Sequence, residues 1–465
     1  MESTGKERLQ FHFGSFGRFI PVIIAVIFIF IAGINQTNVN GYVIAFFAAI
    51  IASVPFAKTP QAYGEAVVSG VQRPIFAIIS GAIILASIAG KIVSSSGLIQ
   101  TLATYVIDFN FTGGVFAASA FVICCVLSLS TGTSVGTNII TFPILFPIGV
   151  LAGVEPGFMA GALVSGAIFG DNLAPISDTT IASAGTQKAE MGGVVRTRLW
   201  YSVPAALLTF TALLLFAGKG GQVVANAAAT DMVASPLSIV MLSVPLVIIA
   251  LCFMRKHLIV ALSWGIVVGA IVGLVSGLYK FSDYFTYPGG FSVDGIVISA
   301  IVGTVGTIMM LYGVFCLLGV LEKGGVVDII GEKMSGWAKG VQSTEVTIVA
   351  SIGVMSWLTG VVTVSIAALG EIVSTIGEKV GLNKFRRANL MDCGGLALGA
   401  LVPWSVHVVL PMQLATASAE NVTLLPTQVL THNFYCIFMI VILIIMITTG
   451  YGRNQNPENN NTTKA

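Results

Sequence analysis

Long apolar runs separated by short polar stretches dominate the pattern of hydrophobic and polar positions along the chain. About fourteen such runs lie at 19–34, 41–56, 73–92, 113–130, 138–153, 157–186, 198–217, 236–254, 257–278, 294–321, 344–358, 361–378, 388–415 and 433–450. A membrane-spanning helix needs about 20 predominantly apolar residues, and several runs reach that length. Other runs are shorter or are interrupted by Gly, Pro or hydroxyl residues. The pattern predicts an all-α polytopic membrane protein with about 12–14 transmembrane segments.

Composition supports this class. Of the 465 residues, 55% are hydrophobic and 9% are charged, whereas a soluble domain carries about 25% charged residues. The expected partner is the lipid bilayer, and the net charge of +2 gives no sign of a nucleic-acid partner. No nucleophile–base arrangement or cofactor-binding loop is visible, so we expect neither an enzyme nor a cofactor. The six cysteines show no metal-ligand spacing and mostly fall in apolar segments, where cysteine behaves as a small hydrophobe.

An offset of 228 residues aligns the chain with itself. At this offset Ser128, Thr131 and Gly132 fall on Ser356, Thr359 and Gly360, and Pro175 and Ser177 fall on Pro403 and Ser405. Chance alignment of low-diversity apolar sequence is the alternative. The paired Thr-Gly and Pro-x-Ser motifs favour an internal repeat.

Charge indicates that the two copies have opposite orientations. The first Pro-x-Ser segment is followed by Lys188, Arg196 and Arg198, but the matching stretch 416–426 has no Lys or Arg. The second repeat shows the reverse: stretch 151–159 of the first repeat has no Lys or Arg, whereas its counterpart in the second contains Lys379, Lys384, Arg386 and Arg387. Because cytoplasmic loops carry the Lys/Arg excess, the pattern predicts inverted-topology repeats, as in many secondary transporters. The predicted divisions are a cytoplasmic segment 1–18, a first transmembrane repeat 19–217, a linker 218–235, a second repeat 236–450 and a disordered tail 451–465, with both termini cytoplasmic.

Four interruptions of the apolar pattern predict broken helices or hairpins near the bilayer midplane. They form two repeat-related pairs, 130–138 with 358–365 and 170–180 with 399–409. Irregular backbone survives at that depth only inside the protein or beside a cavity. Pro175 has no N–H and disfavours helix at Ala174, so the second break should open there.

The breaks supply the candidate site residues. Carboxylate, hydroxyl and carbonyl oxygens suit a hard cation, and an ionisable residue within a span is by default a functional candidate. The predicted ion- or substrate-binding residues are Thr133, Ser134, Thr137, Asn138, Asp171, Asn172, Ser177, Asp178, Thr179, Thr180, Glu371, Ser405 and His407, with Asp171 and Asp178 as Na⁺ ligands and Glu371 as a proton carrier. Structural alternatives stay open: a helix cap for the aspartates, a kink for the hydroxyls, a satisfied core residue for His407, and a pair with Arg386 or Arg387 for Asp392.

The motifs "TGTSVGTN" (131–138) and "SGAIFGDNLAPISDTTIASA" (165–184) together resemble the NhaC-type sodium–proton antiporter family, and "GVLEKGGVVDII" (319–330) is also similar to it. The resemblance implies exchange of Na⁺ against H⁺ across the bacterial inner membrane. Two positions depart from the family pattern: Val135 stands where tryptophan is common, and Asn172 stands where lysine is common.

We therefore predict a secondary active transporter, a Na⁺/H⁺ antiporter that works by alternating access with Na⁺ and H⁺ as its ions. The alternative is a Na⁺- or H⁺-coupled transporter of a small organic solute, either an amino acid or a carboxylate. Tight helix packing through small residues leaves a homodimer open.

Overall fold

The apolar runs form helices of very different lengths in the computed structural model, which describes residues 9–35, 37, 39–218, 235–254, 256–290, 292–419 and 422–453. The first half contains α1 Gly14–Gly17, α2 Ile20–Ile34, α3 Val39–Ser53, a 3₁₀ turn Val54–Phe56, α4 Pro60–Val71, α5 Pro74–Ser94, α6 Leu98–Asp108, α7 Gly113–Thr131, α8 Ser134–Leu151, α9 Pro156–Leu173, α10 Asp178–Thr186 and α11 Met191–Phe216. The second half contains a 3₁₀ helix Pro236–Leu242, α12 Ser243–Phe253, α13 Leu258–Val275, α14 Phe281–Tyr284, strands β1 Thr286–Gly289 and β2 Ser292–Asp294, α15 Ile296–Lys323, α16 Val326–Trp337, α17 Val341–Thr359, α18 Val362–Lys379, α19 Lys384–Gly399, α20 Val406–Ser418, α21 Pro426–His432 and α22 Phe434–Thr449.

The prediction of an all-α polytopic membrane protein is confirmed. Nine helical spans among the described residues are long and apolar enough to cross a membrane, and the bent pair α21–α22 would be a tenth. Other predicted segments became shorter helices, such as Ile20–Ile34. The strands β1 and β2 form one small antiparallel pair.

The 228-residue offset reappears in the bounds of the helices. Helices α7, α8, α9 and α10 begin at 113, 134, 156 and 178, and α17, α18, α19 and α20 begin 228 residues later in each case, at 341, 362, 384 and 406. Left-handed glycines repeat with the same spacing, as Gly97, Gly132 and Gly153 precede Gly325, Gly360 and Gly381. Chance alignment does not account for matched helix starts and matched backbone conformations, so the chain contains an internal repeat.

Helices α7 and α8 form a hairpin whose tip lies beside a break in the next span. The N–H of Gly113 bonds to the carbonyl of Ala152, which joins the open ends of the hairpin. Helix α7 runs parallel to α9, and a Cβ atom on Gly170 would lie 2.5 Å from the carbonyl oxygen of Cys125. Only glycine permits this approach of two backbones, a usual device of membrane helix packing. The tip at Gly132 consequently contacts Ile176, between α9 and α10.

The second repeat builds the same arrangement from α17–α18 and the broken span α19–α20. The indole N–H of Trp404, in the break, donates to the carbonyl of Trp357 near the tip of the hairpin at 2.7 Å. The indole N–H of Trp357 donates in turn to the carbonyl of Leu398, at 2.7 Å. Each repeat thus places a hairpin tip at its own break.

The two broken spans run in opposite directions. Helices α9 and α10 together make a 31-residue apolar span, Pro156–Thr186. Its end lies beside the start of α19, because Arg387 Nε donates to Gln187 Oε1 at 2.9 Å. Its start lies beside α21, which follows α20, because Gln428 Nε2 donates to Glu155 Oε1 at 3.2 Å. Equivalent spans of the two repeats are therefore inverted, as the charge pattern predicts.

The two broken spans end at two opposite faces of the molecule. The Arg387 face consists of residues 187–190 and 380–383, and the Glu155 face consists of residues 152–155 and 422–425. The last described residues lie at the Arg387 face, because Arg453 Nη2 contacts Glu345 Oε2 at 2.6 Å and Glu345 Oε1 also binds Arg386, at the start of α19.

The repeats exchange equivalent helices. Helix α10 of the first repeat packs against α18 of the second, and the equivalent α20 packs against α8 of the first. This reciprocal contact brings both breaks and the first hairpin tip together. The repeat boundaries 19–217 and 236–450 stay predictions; linker residues 219–234 and tail residues 454–465 lie outside the described residues.

Candidate functional site

Asp171 lies near the end of α9, and three donors hold its carboxylate. The backbone N–H and the hydroxyl of Ser134 donate to Oδ2 at 2.9 and 2.6 Å, and the hydroxyl of Ser177 donates to Oδ1 at 2.6 Å. All three side chains are buried. Ser134 is the first residue of α8, so the carboxylate lies at a helix N-terminus, where free N–H groups and the helix dipole attract negative charge.

Pro175 explains why Ser177 is available to Asp171. Helix α9 ends at Leu173, and Ala174 is extended, with φ −71° and ψ 123°, as expected for a residue before proline. Ser177 precedes α10 but makes no side-chain capping bond. Its hydroxyl instead turns back to Asp171 and also lies 3.0 Å from the hydroxyl of Thr179.

His407 connects this cluster to the second repeat. Its Nε2 lies 2.9 Å from Ser134 Oγ, and its side chain is buried in the first turn of α20. Ser405 accepts the backbone N–H of His407 at 3.3 Å and lies 3.5 Å from Nδ1. The hairpin tip and the break of the first repeat therefore meet the break of the second repeat at Ser134.

A second buried group adjoins the cluster, and it corrects the predicted pairing of Asp392. Asp392 Oδ2 lies 2.6 Å from Nη1 of Arg198, while Arg386 pairs with Glu345 and Arg387 with Glu378. Thr180 donates to Asp392 at 3.2 Å. Arg198 was missed as a site residue because it follows Lys188 and Arg196 in the sequence, where it counts as one more loop charge. It lies in α11, and its side chain is 0% exposed.

Four predicted residues lie near the cluster without contacting Asp171 through a hydrogen bond. Thr133 accepts the N–H of Gly136 and thereby caps α8, and the hydroxyl of Thr137 donates to the carbonyl of Thr133 at 2.9 Å. Asn172 donates from its amide to the hydroxyl of Tyr435 at 3.2 Å. Asn138 is fully buried, and neither polar atom of its side chain bonds to a described residue.

The two other predicted carboxylates are exposed. Asp178 is the first residue of α10, where a negative charge interacts favourably with the helix dipole. The N-cap residue of α10 is Ser177, and Asp178 follows it in the first turn. Glu371 lies in the middle of α18 with an exposed side chain. Neither is brought into hydrogen-bonding contact with Asp171 in the described part of the chain.

The oxygen atoms at Asp171 suit an alkali cation. Two carboxylate oxygens and the hydroxyls of Ser134, Ser177 and Thr179 are hard ligands, and a hydroxyl offers lone pairs once its hydrogen turns away. Within the described ranges no group of three or more His, Cys, Asp or Glu side chains could hold a metal ion. The chemistry is that of one carboxylate surrounded by neutral oxygens.

The chain is similar over most of its length to known antiporters. A family model described as "Na+/H+ antiporter family" matches residues 9–219 and 222–447. The Na(+)/H(+) antiporter NhaC of Bacillus subtilis is 26% identical over 372 residues, which are 75% of this chain and 79% of the relative. NhaC of Alkalihalophilus pseudofirmus is 27% identical, covering 72% of this chain and 74% of the relative. The malate-2H(+)/Na(+)-lactate antiporter of Bacillus subtilis is 25% identical, covering 78% and 80%.

Proposed function

We propose that this chain exchanges Na⁺ and H⁺ at a single carboxylate, that of Asp171. The chain belongs to the Na⁺/H⁺ antiporter family and is a Na⁺/H⁺ antiporter. The observation that carries the proposal is the position of this carboxylate. It is buried where the tip of one hairpin meets the breaks of both repeats. The motif resemblance to the sodium–proton antiporter family is confirmed by the family match.

Competition at Asp171 would couple the two ions. A proton on Asp171 neutralises the charge that attracts Na⁺, and a bound Na⁺ occupies the lone pairs that a proton needs. The hydroxyls of Ser134 and Ser177 donate to the carboxylate in the structure. Rotation of each hydroxyl would turn an oxygen lone pair toward Na⁺, so the same residues would serve both states.

Alternating access would carry either form of the site across the membrane. In inverted-repeat transporters one repeat moves against the other around a site near the midplane. Asp171 lies midway along the span Pro156–Thr186, and the contact of Ser134 with His407 joins the two repeats. We place the Arg387 face in the cytoplasm of a bacterium, because Lys379, Lys384 and Lys188 lie at or next to it.

Purified protein in liposomes with a trapped pH dye tests this function. An imposed Na⁺ gradient should move protons in the wild type without any organic solute. Asp171→Asn should abolish the movement, because the amide cannot carry a proton and has no charge for Na⁺. Asp178→Asn should keep the exchange rate within about threefold of wild type, because the Asp178 carboxylate is exposed. A tenfold loss of rate would correspond to a loss of about 1.4 kcal/mol, which is more than we expect from this residue.

Each opposite result has a definite meaning. Normal exchange by Asp171→Asn would refute the assignment of the carboxylate, and loss of exchange in Asp178→Asn alone would transfer the role to Asp178. Proton movement that requires malate, lactate or an amino acid in addition to Na⁺ would establish the organic-solute alternative.

A further inference from the structure

A fully buried ion pair joins the two repeats next to Asp171. Arg198 belongs to α11 of the first repeat and Asp392 to α19 of the second, and both side chains are 0% exposed. Dehydration of two charges can cost more than their attraction returns, so such a pair is weak evidence for a purely stabilising role. Its position suggests a part in the ion site.

Arg198 holds both sides of the break that contains Pro175. Its Nη1 donates to the carbonyl of Asn172, the residue after Asp171, and to Thr180 Oγ1 at 2.7 Å. The carbonyl of Asn172 lies at the end of α9, where the helix leaves carbonyls without intrahelical partners. The positive charge therefore lies at the negative end of the α9 dipole, one residue from the exchanging carboxylate.

Asp392 approaches the same segment from the other repeat. Its Oδ2 accepts from Thr180 and from Ser183, at 3.2 and 3.4 Å. On the other side of Thr180, the hydroxyl of Thr179 contacts Ser177, which donates to Asp171. Short hydroxyl contacts thus link the ion pair to Asp171 through Thr180, Thr179 and Ser177.

The pair retains unused polar atoms. Asp392 Oδ1 and Arg198 Nη2 are buried, and neither has a hydrogen-bond partner among the residues that the structure describes. A buried polar atom without a hydrogen-bond partner is destabilising. We would therefore expect an ion pair whose role is only to stabilise the fold to use all its donors and acceptors.

We propose that Arg198 and Asp392 are positioning residues that set the Na⁺ affinity of Asp171 by cancelling each other's charge at the site. This inference rests on the function proposed above. With both charges present, a Na⁺ ion at Asp171 is attracted by the charge of Asp171 alone. Loss of either partner leaves one uncompensated buried charge close to the ion.

The two single variants consequently change Na⁺ affinity in opposite directions. Asp392→Asn leaves a positive charge that repels Na⁺, and we expect the Na⁺ concentration for half-maximal exchange to rise about tenfold. Arg198→Gln leaves an additional negative charge, and we expect that concentration to fall about tenfold, with slower turnover because Na⁺ leaves slowly. Unit charges about 12 Å apart that interact through an effective dielectric constant near 20 change an affinity about tenfold, and a shorter separation changes it more.

The double variant isolates the electrostatic origin of these shifts. Arg198→Gln with Asp392→Asn removes both charges, so the half-maximal Na⁺ concentration should return to within about threefold of wild type. Neighbouring residues are coupled, and a double-mutant cycle measures this coupling directly. The assay is the liposome exchange measurement over a series of Na⁺ concentrations, with wild type and Asp171→Asn beside the variants.

The chain offers a matched control pair. Arg386 and Glu345 are also buried, with Nε and Oε1 2.8 Å apart, but they lie at the starts of α19 and α17, on the Arg387 face. Arg386→Gln and Glu345→Gln should lower the thermal midpoint of the protein without moving the half-maximal Na⁺ concentration in opposite directions.

Every outcome decides the proposal. The proposal would be overturned if Arg198→Gln and Asp392→Asn shifted the half-maximal Na⁺ concentration in the same direction. It would also be overturned if the double variant did not restore the wild-type value. If Arg198→Gln prevents folding, Arg198→Lys retains the charge and should keep the half-maximal Na⁺ concentration within about threefold of wild type. A tenfold change in Arg198→Lys would overturn the proposal. Absence of exchange in the wild type would refute the proposed function itself, which separates the two failures.

Discussion

At the scale of single residues, the hydroxyl of Ser134 determines how His407 is protonated. With Asp171 ionised, Ser134 Oγ donates its hydrogen to the carboxylate at 2.6 Å and is left to accept one from His407, whose Nε2 lies 2.9 Å away. In that state His407 carries a hydrogen on Nε2. Through this chain of two hydrogen bonds, the second repeat orients the hydroxyl that contacts the exchanging carboxylate.

Substitution of His407 tests this orientation. His407→Leu removes the donor to Ser134, and we expect exchange at low Na⁺ concentration to fall about tenfold, because the loss of a hydrogen bond to a charged network costs about 1.5–3 kcal/mol. His407→Gln keeps an N–H donor at similar reach and should recover most of the rate. The liposome exchange assay measures both variants. Equal losses would show that the ring, rather than its N–H, is required.

The sequence predicts a site residue when its immediate neighbours in the chain mark it. It does not predict a residue whose role depends on a distant partner. Asp171 and Ser177 were predicted because proline and three polar side chains interrupt an apolar run within seven residues. The role of Arg198 could not be predicted, since its partner Asp392 lies 194 positions away in the other repeat. Charge counting along the chain does not distinguish a loop arginine from one that a helix turns inward.

At the scale of elements, the tip of the first hairpin depends on a left-handed glycine. Gly132 has φ 69°, and a Cβ atom there would lie 2.5 Å from Ile176 Cγ1. Gly153, which follows α8, also has a left-handed backbone with φ 86°, but nothing lies within 4 Å of an added Cβ. The two glycines therefore share a conformation and differ in surroundings.

Gly132→Ala and Gly153→Ala distinguish the effect of backbone strain from the effect of moving the hairpin tip. Each substitution should lower the free energy of unfolding by about 1–2 kcal/mol, the cost of the left-handed conformation for a residue with Cβ. Only Gly132→Ala should also reduce Na⁺/H⁺ exchange more than about tenfold, because it pushes the tip that carries Ser134 away from the break. Thermal midpoints and liposome exchange measure the two effects. Equal exchange rates would show that the tip tolerates displacement.

The same elements show which part of the fold the sequence can predict. Thr-Gly motifs and Pro-x-Ser motifs interrupt helices locally, so the breaks and the 228-residue repeat were visible in the sequence. The packing of α10 against α18 and of α20 against α8 was not, because contacts between repeats depend on surfaces far apart in the chain. The hydroxyls of Thr133 and Thr137, which the sequence predicts as ligands, form hydrogen bonds at the start of α8, and their role as ligands stays a prediction.

At the scale of the whole molecule, two cavities lie in different parts of the described structure. One, of about 480 Å³, lies toward the Glu155 face and includes Lys91, Gln413, Thr416 and Leu425 in its lining. The other, of about 320 Å³, lies at the tip of the first hairpin and includes Ser130 in its lining. We propose that they belong to the two access routes, and alternating access then requires that the routes reach Asp171 in turn and not together.

Cysteine labelling at the two cavities tests this alternation. The six native cysteines are buried, but Cys252 lines the same cavity as Ser130, so Thr416→Cys and Ser130→Cys are each followed with a water-soluble thiol reagent in a Cys252→Ser background. Because Na⁺ shifts the balance between the two access states, we expect its addition to raise the labelling rate at one position and lower it at the other. Asp171→Asn in the same background should abolish the response to Na⁺, since that variant has no exchanging carboxylate. Parallel changes at both positions would mean that the cavities open together, which is the behaviour of a channel and incompatible with exchange of one ion for another.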